Sequence, residues 1–188
     1  MFAQAIHANT MECYYSLSEQ FLTQAEPSYC AITTLAMCFN ALNLDPGIQW
    51  RKPWRWYTEE ILGLCYPLHK IKENGITFSE FVALARCNGV SVEPHYADTV
   101  TANDLREKVK SVCIRPVADA YTTASSTDGS AVQQHTPSKR IIVASYSRKS
   151  LNQTGDGHMS PIGGYHEPSD HVLILDVARF KYPPYWVP

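Results

Sequence analysis

Three residues with the chemistry for nucleophilic catalysis stand at separate points along the chain: Cys30, His158 and Asp176. Cys30 follows Pro27 and Ser28 and opens a run with helical apolar spacing, which predicts a helix with Ser28 as its N-cap and Cys30 in its first turn. The helix dipole lowers the pKa of a thiol at that end, and a nearby imidazolium lowers it further. Cys30 is therefore the candidate nucleophile.

His158, Asp176 and Gln24 supply the other parts of such a site. His158 follows the glycine-bearing turn 154–157, which would place its ring at an open rim where it can act as a base. Asp176 ends an apolar run, where a carboxylate needs a partner, and the His158 imidazole is the candidate. Gln24 lies shortly before Cys30 and could stabilise an oxyanion together with the Cys30 backbone N–H. This chain order is that of papain-like enzymes.

The same residues also have ordinary structural interpretations. A cysteine in an amphipathic helix is usually a small core residue, and this is the interpretation for Cys38 and Cys87. A strand-end cap is the alternative for Asp176, and a loop position is the alternative for Gln24. The six cysteines are too widely spaced for a disulfide framework, and the absence of a CxxC pair argues against a metal-binding cluster.

The elements that must position these residues divide the chain into a helical first half and a sheet-forming second half. Helical spacing or helix-start residues mark four segments: 30–42, 58–65, a segment capped by Ser79, and a segment that starts at Asn103 or Asp104. Apolar runs predict strands at 141–144, after His158 and at 172–175, with the last two in an antiparallel hairpin.

Length and composition restrict the class of protein. The 188 residues favour one domain, and 16 Lys and Arg against 18 Asp and Glu argue against a surface for nucleic acid or an anionic membrane. The first residues lack the pattern of a secretory signal, and no stretch is apolar enough to cross a membrane, so we expect a cytoplasmic protein. Residues 119–139 are rich in Ser, Thr and Gln and predict an exposed polar insertion.

Several longer motifs resemble the N-terminal catalytic domain of phytochelatin synthases. They are TQAEPSYC, NALNLDPGIQWRKPWRWY, GITFSEFVALARCNG, QTGDGHMSPIGGY and LILDVARFKYPPYWVP. By this resemblance Cys30, His158 and Asp176 correspond to the family's catalytic triad and Gln24 to its oxyanion-hole glutamine. The resemblance implies an α+β, papain-like cysteine protease fold, in which a helical half carries the nucleophile and an antiparallel sheet half carries the histidine and the aspartate.

The resemblance also implies a reaction on glutathione. Cys30 would attack the Cys–Gly bond, hold γ-glutamylcysteine as a thioester and transfer it to a second glutathione, building (γ-Glu-Cys)n-Gly. A heavy-metal ion such as cadmium, zinc or copper would act as activator, mainly as part of a metal–glutathione thiolate substrate, without an organic cofactor. Arg148 and Arg179 match family positions for substrate recognition, where a guanidinium suits a carboxylate.

Other outcomes stay open at this point. Water as the acceptor would give a glutathione-cleaving peptidase, and a non-catalytic metal-sequestering thiol protein is the alternative from another class. The resemblance leaves a homodimer open and implies a catalytic domain that continues beyond Pro188. Leu64-Cys65 and Ala83 stand where the family often has cysteines, so no metal site is assigned to this domain.

Overall fold

A computed structural model describes residues 1–114 and 139–188. The first range holds seven helices: α1 (Phe2–His7), α2 (Glu12–Glu19), α3 (Cys30–Ala41), α4 (Glu59–Leu62), α5 (Leu68–Asn74), α6 (Phe78–Cys87) and α7 (Ala102–Cys113). The second range holds four strands: β1 (Val143–Tyr146), β2 (His158–His166), β3 (His171–Ile174) and β4 (Tyr185–Val187). Mixed helices and an antiparallel sheet confirm the α+β class. The polar insertion predicted at 119–139 falls almost entirely outside the described residues.

Helix α3 lies at the centre of the core. All of its residues except Cys30 are buried, because the helix is apolar around most of its circumference. Met37 and Cys38 pack in a cluster with α2, α7 and the sheet, whereas Leu35 and Phe39 pack in a second cluster with α4, α5 and α6. The predicted core-facing helix and the core position of Cys38 are confirmed. The nucleophile candidate therefore stands at the end of a rigid, buried element.

The four strands form one antiparallel sheet in the order β1-β2-β3-β4. The hairpin of β2 and β3 is confirmed, with a short 3-10 turn at Glu167–Ser169 between them. Strand β2 is buried along its whole length, and helices α2, α3 and α7 pack against it. At Gly163 a Cβ atom would lie 2.9 Å from the Leu175 side chain, so this close approach needs glycine. Because β2 and β3 are antiparallel neighbours, the start of β2 with His158 and the end of β3 lie at the same end of the sheet.

Three helix starts differ from the sequence prediction. Tyr29, not Ser28, is the N-cap of α3, and Ser28 instead donates its hydroxyl hydrogen to the Lys72 carbonyl oxygen at 3.0 Å. Thr77, not Ser79, caps α6 in a capping box with Glu80. At α6 the Thr77 side chain reaches the N3 backbone N–H and so determines the start, whereas no side chain caps α3.

Helix α7 shows the same effect. Thr101 caps it in a capping box with Asp104, so the helix begins at Ala102 rather than at Asn103 or Asp104. The helical spacing of Leu105, Val109 and Val112 predicts one buried stripe, but Leu105 is exposed, and the buried residues of the helix are Val109 and Cys113. Val109 and Cys113 belong to the core cluster that contains residues of α2 and of the sheet.

One cysteine pair is covalently linked. Cys65 and Cys87 form a disulfide that joins the segment after α4 to the last residue of α6. Both residues are exposed, so the core interpretation of Cys87 is wrong. Cys13, Cys38 and Cys113 are free and buried. None of the helices in the described part of the chain combines the length and the apolar character that a membrane span requires.

Candidate active site

Cys30 opens α3 and lies at a cleft of about 150 Å³ between the helical half and the sheet. Of the free cysteines it is the one that is partly exposed, since the other three are buried. The cleft is also lined by Gln24, Arg148, His158 and the turn 154–157. A thiol at a helix N-terminus that opens into a cleft can act as a nucleophile toward a bound carbonyl group.

His158 is brought to Cys30 by the sheet and held there by Asp176. Its Nε2 atom lies 2.8 Å from Oδ1 of Asp176, which follows the end of β3. Because Nε2 is hydrogen-bonded to the carboxylate, Nδ1 is the nitrogen that can accept the proton of the Cys30 thiol. His158 is only 5% exposed, so its ring is buried within the cleft wall and does not stand at an open rim as expected.

The charges of Cys30 and His158 stabilise each other. Burial raises the pKa of the Cys30 thiol, but the hydrogen bond and the positive charge of His158, with backbone hydrogen bonds at Met159 and Ala31, outweigh burial and bring this pKa below its ordinary value. Burial lowers the pKa of His158, but its hydrogen bonds with Asp176 and Cys30 outweigh burial and raise it. Both directions favour a thiolate–imidazolium pair over the neutral thiol and imidazole.

Asp176 is completely buried, and five contacts compensate its charge. Oδ1 accepts from His158 Nε2 and from the Ala178 N–H, both at 2.8 Å. Arg148 Nη2 lies 3.0 Å from Oδ1 and 2.8 Å from Oδ2, and the Tyr185 hydroxyl donates to Oδ2 at 3.0 Å. Burial raises the pKa of Asp176, yet the bond and charge of His158, with Ala178 and Arg148, lower it overall. The carboxylate is therefore ionised and fixed in orientation.

Arg148 is buried beside the cleft, with its guanidinium engaged by protein groups. Besides Asp176 it contacts Gln153, whose Oε1 accepts from Nη1 at 2.7 Å, and its Cζ lies 4.9 Å from the centre of the Tyr182 ring. It is 3% exposed. Arg148 lines the cleft, but the structure shows it as the partner of Asp176, and its predicted role toward a substrate carboxylate stays a prediction.

Arg179 is exposed and lies outside the group of residues that line the cleft. Its guanidinium stacks over the Phe21 ring at 4.7 Å. Lys181, which the sequence reasoning missed, does line the cleft, next to the turn in which Gly155 adopts a φ of 96°. Substrate binding by Arg179 stays a prediction, and Lys181 is a cation at the cleft itself.

Gln24 is buried in the cleft wall, six residues before the nucleophile candidate. Its Nε2 donates to the carbonyl oxygens of Glu26 at 2.8 Å and Pro27 at 2.9 Å, and Oε1 is buried without a hydrogen-bond partner in the structure as described. Both amide hydrogens thus serve the loop, and donation to an oxyanion requires that one of these bonds be exchanged. The oxyanion role of Gln24 stays a prediction.

The sequence reasoning also missed the tyrosines behind Asp176. Tyr185 lies in β4, which pairs with β3 so that Tyr185 is opposite Ile174. Its hydroxyl also contacts the Tyr146 hydroxyl at 2.6 Å. Aromatic residues are frequent near the end of the chain, but nothing in their spacing indicates that one reaches the carboxylate. Among residues 1–114 and 139–188 no group of three or more His, Cys, Asp or Glu side chains is placed to hold a metal ion.

Comparison with known proteins gives a consistent result over the whole chain. The family model described as phytochelatin synthase matches residues 1–188. The chain is 45% identical over 188 residues to glutathione gamma-glutamylcysteinyltransferase 3 of Lotus japonicus and to transferase 1 of Triticum aestivum, and 40% identical over 187 residues to the transferase of Schizosaccharomyces pombe. Each match covers 100% of this chain but only 35%, 33% and 40% of these relatives, so the chain spans well under half of their length.

Proposed function

Because the chain belongs to the phytochelatin synthase family, we propose that it transfers the γ-glutamylcysteinyl group of one glutathione to another. The observation that carries the proposal is the placement of a partly exposed Cys30 at a helix N-terminus beside His158, which Asp176 holds at 2.8 Å. The printed names of the relatives, glutathione gamma-glutamylcysteinyltransferases, support glutathione as the substrate.

The first half-reaction makes a thioester. The Cys30 thiolate attacks the carbonyl carbon of the Cys–Gly peptide bond, and the electron pair of that carbonyl moves onto oxygen. His158 then gives its proton to the glycine nitrogen, so the carbon–nitrogen bond breaks and glycine leaves. The buried Asp176 carboxylate stabilises the imidazolium before this transfer and keeps the ring oriented. The γ-glutamylcysteinyl group remains on Cys30.

The second half-reaction uses the α-amine of another glutathione. The amine attacks the thioester carbon, neutral His158 takes its proton, and the Cys30 thiolate leaves. The products are γ-Glu-Cys-γ-Glu-Cys-Gly and the restored enzyme. Lys181 lines the cleft and can pair with a carboxylate of either glutathione.

We also propose that cadmium, zinc or copper enters as part of the substrate, bound to glutathione thiols. Soft thiolate ligands favour such ions. The placement of Cys30 at the start of α3 and of His158 at the start of β2 supports a papain-like arrangement of nucleophile helix and histidine strand. A cytoplasmic location suits a substrate that is a reduced thiol.

The proposal is tested with purified protein, glutathione and cadmium, with products separated by mass spectrometry. We expect release of glycine and appearance of peptides longer by one γ-glutamylcysteinyl unit. Cys30→Ser should lose both signals, because an alcohol is a far weaker nucleophile beside His158 than a thiolate. Lys70→Ala, an exposed lysine on α5, serves as the matched control and should keep both.

The outcomes separate the alternatives. Glycine release without longer peptides would show that water is the acceptor and that the protein is a peptidase. Metal binding without release of glycine would favour the metal-sequestering alternative. Activity that survives in Cys30→Ser would contradict the assignment of the nucleophile.

A further inference from the structure

The loop that carries Gln24 is fixed from two sides of the cleft. On the sheet side the Gln24 N–H donates to the Val177 carbonyl oxygen at 3.0 Å. On the helical side the Ala25 N–H donates to Oε1 of Glu59 at 3.2 Å. Glu59 is the first residue of α4 and is half-buried. No step of the proposed acyl transfer uses a side chain of α4, so Glu59 has no direct part in that chemistry.

Glu59 contacts the nucleophile helix through the same oxygen. The Thr33 hydroxyl shares its hydrogen between Oε1 of Glu59 and the Tyr29 carbonyl oxygen, the latter at 2.9 Å, and Thr33 lies on α3 one turn after Cys30. Thr33 is 1% exposed, so this contact lies inside the core. A single carboxyl oxygen thus joins the backbone next to Gln24 to the helix whose first residue is Cys30.

Other contacts of this loop are weaker or more exposed. The Glu26 carboxylate pairs with Lys72 Nζ at 2.6 Å, but both side chains are substantially exposed, and such pairs contribute little to position. The groups that face Glu59 are mainly of like charge: burial raises the pKa of its carboxyl, Glu26 and Glu60 raise it further, and the hydrogen bonds from Thr33 and Ala25 act in the opposite direction. The contacts of this half-buried carboxyl are hydrogen bonds with Ala25 and Thr33, and the charged groups near it are the carboxylates of Glu26 and Glu60.

We propose that Glu59 is a positioning residue for acyl transfer, which holds the loop carrying Gln24 at a fixed distance from Cys30. The inference rests on the proposed function. Gln24 and Pro27 of this loop line the cleft together with Cys30, and the oxyanion role predicted for Gln24 would bring its amide to the carbonyl oxygen that acquires negative charge. Hydrogen-bond donors in such a place act only when they are preorganised, since a displacement of about 1 Å can cost about 100-fold in rate.

The test compares three variants with the wild type in glycine release from glutathione. Glu59→Ala removes the link and should lower kcat about 10- to 100-fold, with KM changed less than about threefold because substrate binding is not removed. Glu59→Gln keeps Oε1 as an acceptor for Ala25 and Thr33 and should restore kcat to near the wild-type value. Glu60→Ala removes the neighbouring, exposed carboxylate on the same helix and should change neither parameter.

A second readout separates positioning from general damage. Alkylation of Cys30 by iodoacetamide forms no oxyanion, so its rate at neutral pH should be the same in Glu59→Ala as in the wild type. If Glu59→Ala does not fold, Thr33→Val breaks the same link from the α3 side with a side chain of similar size, and it should lower kcat while alkylation is kept.

Three results would overturn the inference alone: wild-type kcat in Glu59→Ala, a loss of alkylation that parallels the loss of kcat, or a Glu59→Gln variant as impaired as Glu59→Ala. A wild-type protein that releases no glycine would overturn the proposed function and this inference with it. The two failures are therefore distinguished by the activity of the wild type.

Discussion

The ion pair of Arg148 and Asp176 lies almost entirely out of water, and this makes a strong prediction about stability. The side chains are 3% and 0% exposed and approach to 2.8 Å. Removing one partner of a buried pair leaves an uncompensated charge and costs about 3–5 kcal/mol. For Arg148→Met we expect a loss of free energy of unfolding near the lower end of this range, because His158 still contacts the Asp176 carboxylate. Asp176→Asn should fall near the upper end because a buried guanidinium then keeps Gln153 as its main acceptor.

The double variant Arg148→Met/Asp176→Asn carries neither charge, so its cost should not exceed that of the worse single variant. This corresponds to a coupling energy of about 3 kcal/mol between the two sites. The measurement is urea unfolding followed by tryptophan fluorescence for the wild type, the two single variants and the double variant. Their free energies of unfolding are compared provided that their m values agree.

Additive losses in the double variant, within about 0.5 kcal/mol, would refute the reasoning. So would an Arg148→Met variant with unchanged stability and a raised KM, because that result would place the guanidinium on the substrate rather than on Asp176.

Three further predictions follow from the site and the core. Because the pKa of Cys30 is lowered and that of His158 is raised, alkylation of Cys30 should stay fast below pH 8 and decline only as the thiolate is protonated. In His158→Ala the alkylation rate should follow an ordinary thiol with a pKa of about 8.5. Identical pH profiles for the wild type and His158→Ala would contradict the ion pair. The Cys65–Cys87 disulfide closes a loop with a sequence separation of 22. Its reduction by dithiothreitol should therefore lower the free energy of unfolding by about 3 kcal/mol without slowing Cys30 alkylation. An unchanged urea midpoint would show that the disulfide does not contribute to stability. Asn40→Ala leaves the buried backbone N–H and C=O of Tyr57 without their partners. This should lower the free energy of unfolding by about 2–4 kcal/mol in the urea assay. A loss below about 1 kcal/mol would mean that water replaces the amide.

The sequence predicts the elements whose patterns are local. The apolar spacing after Cys30 is long enough to define α3, and the turn residues between His166 and His171 define the β2–β3 hairpin. That hairpin is sufficient to suggest that His158 and Asp176 meet at one edge of the sheet. The capping box of Thr77 with Glu80 is also a local pattern, whereas the residue three positions after Ser79 is Val82, whose side chain cannot complete such a box.

The rest of the site depends on long-range contacts that no local pattern encodes. Arg148 meets Asp176 across 28 residues, and Tyr185 reaches it because the short strand β4 pairs with β3. The Cys65–Cys87 disulfide likewise depends on how α6 packs against the segment after α4. A burial pattern indicates that a carboxylate needs partners, but the packing of strands and helices determines which side chains supply them.

The central claim, that Cys30 forms a thioester with the γ-glutamylcysteinyl group, is tested most directly on the intact protein. After brief exposure to glutathione and acid quench, mass spectrometry should show one added γ-glutamylcysteinyl group on Cys30, together with one free glycine per adduct. Hydroxylamine should remove this group, and a phosphine reductant, which has no thiol to exchange with a thioester, should leave it in place. An adduct of whole glutathione that the phosphine removes, with no free glycine, would show a mixed disulfide and contradict the account.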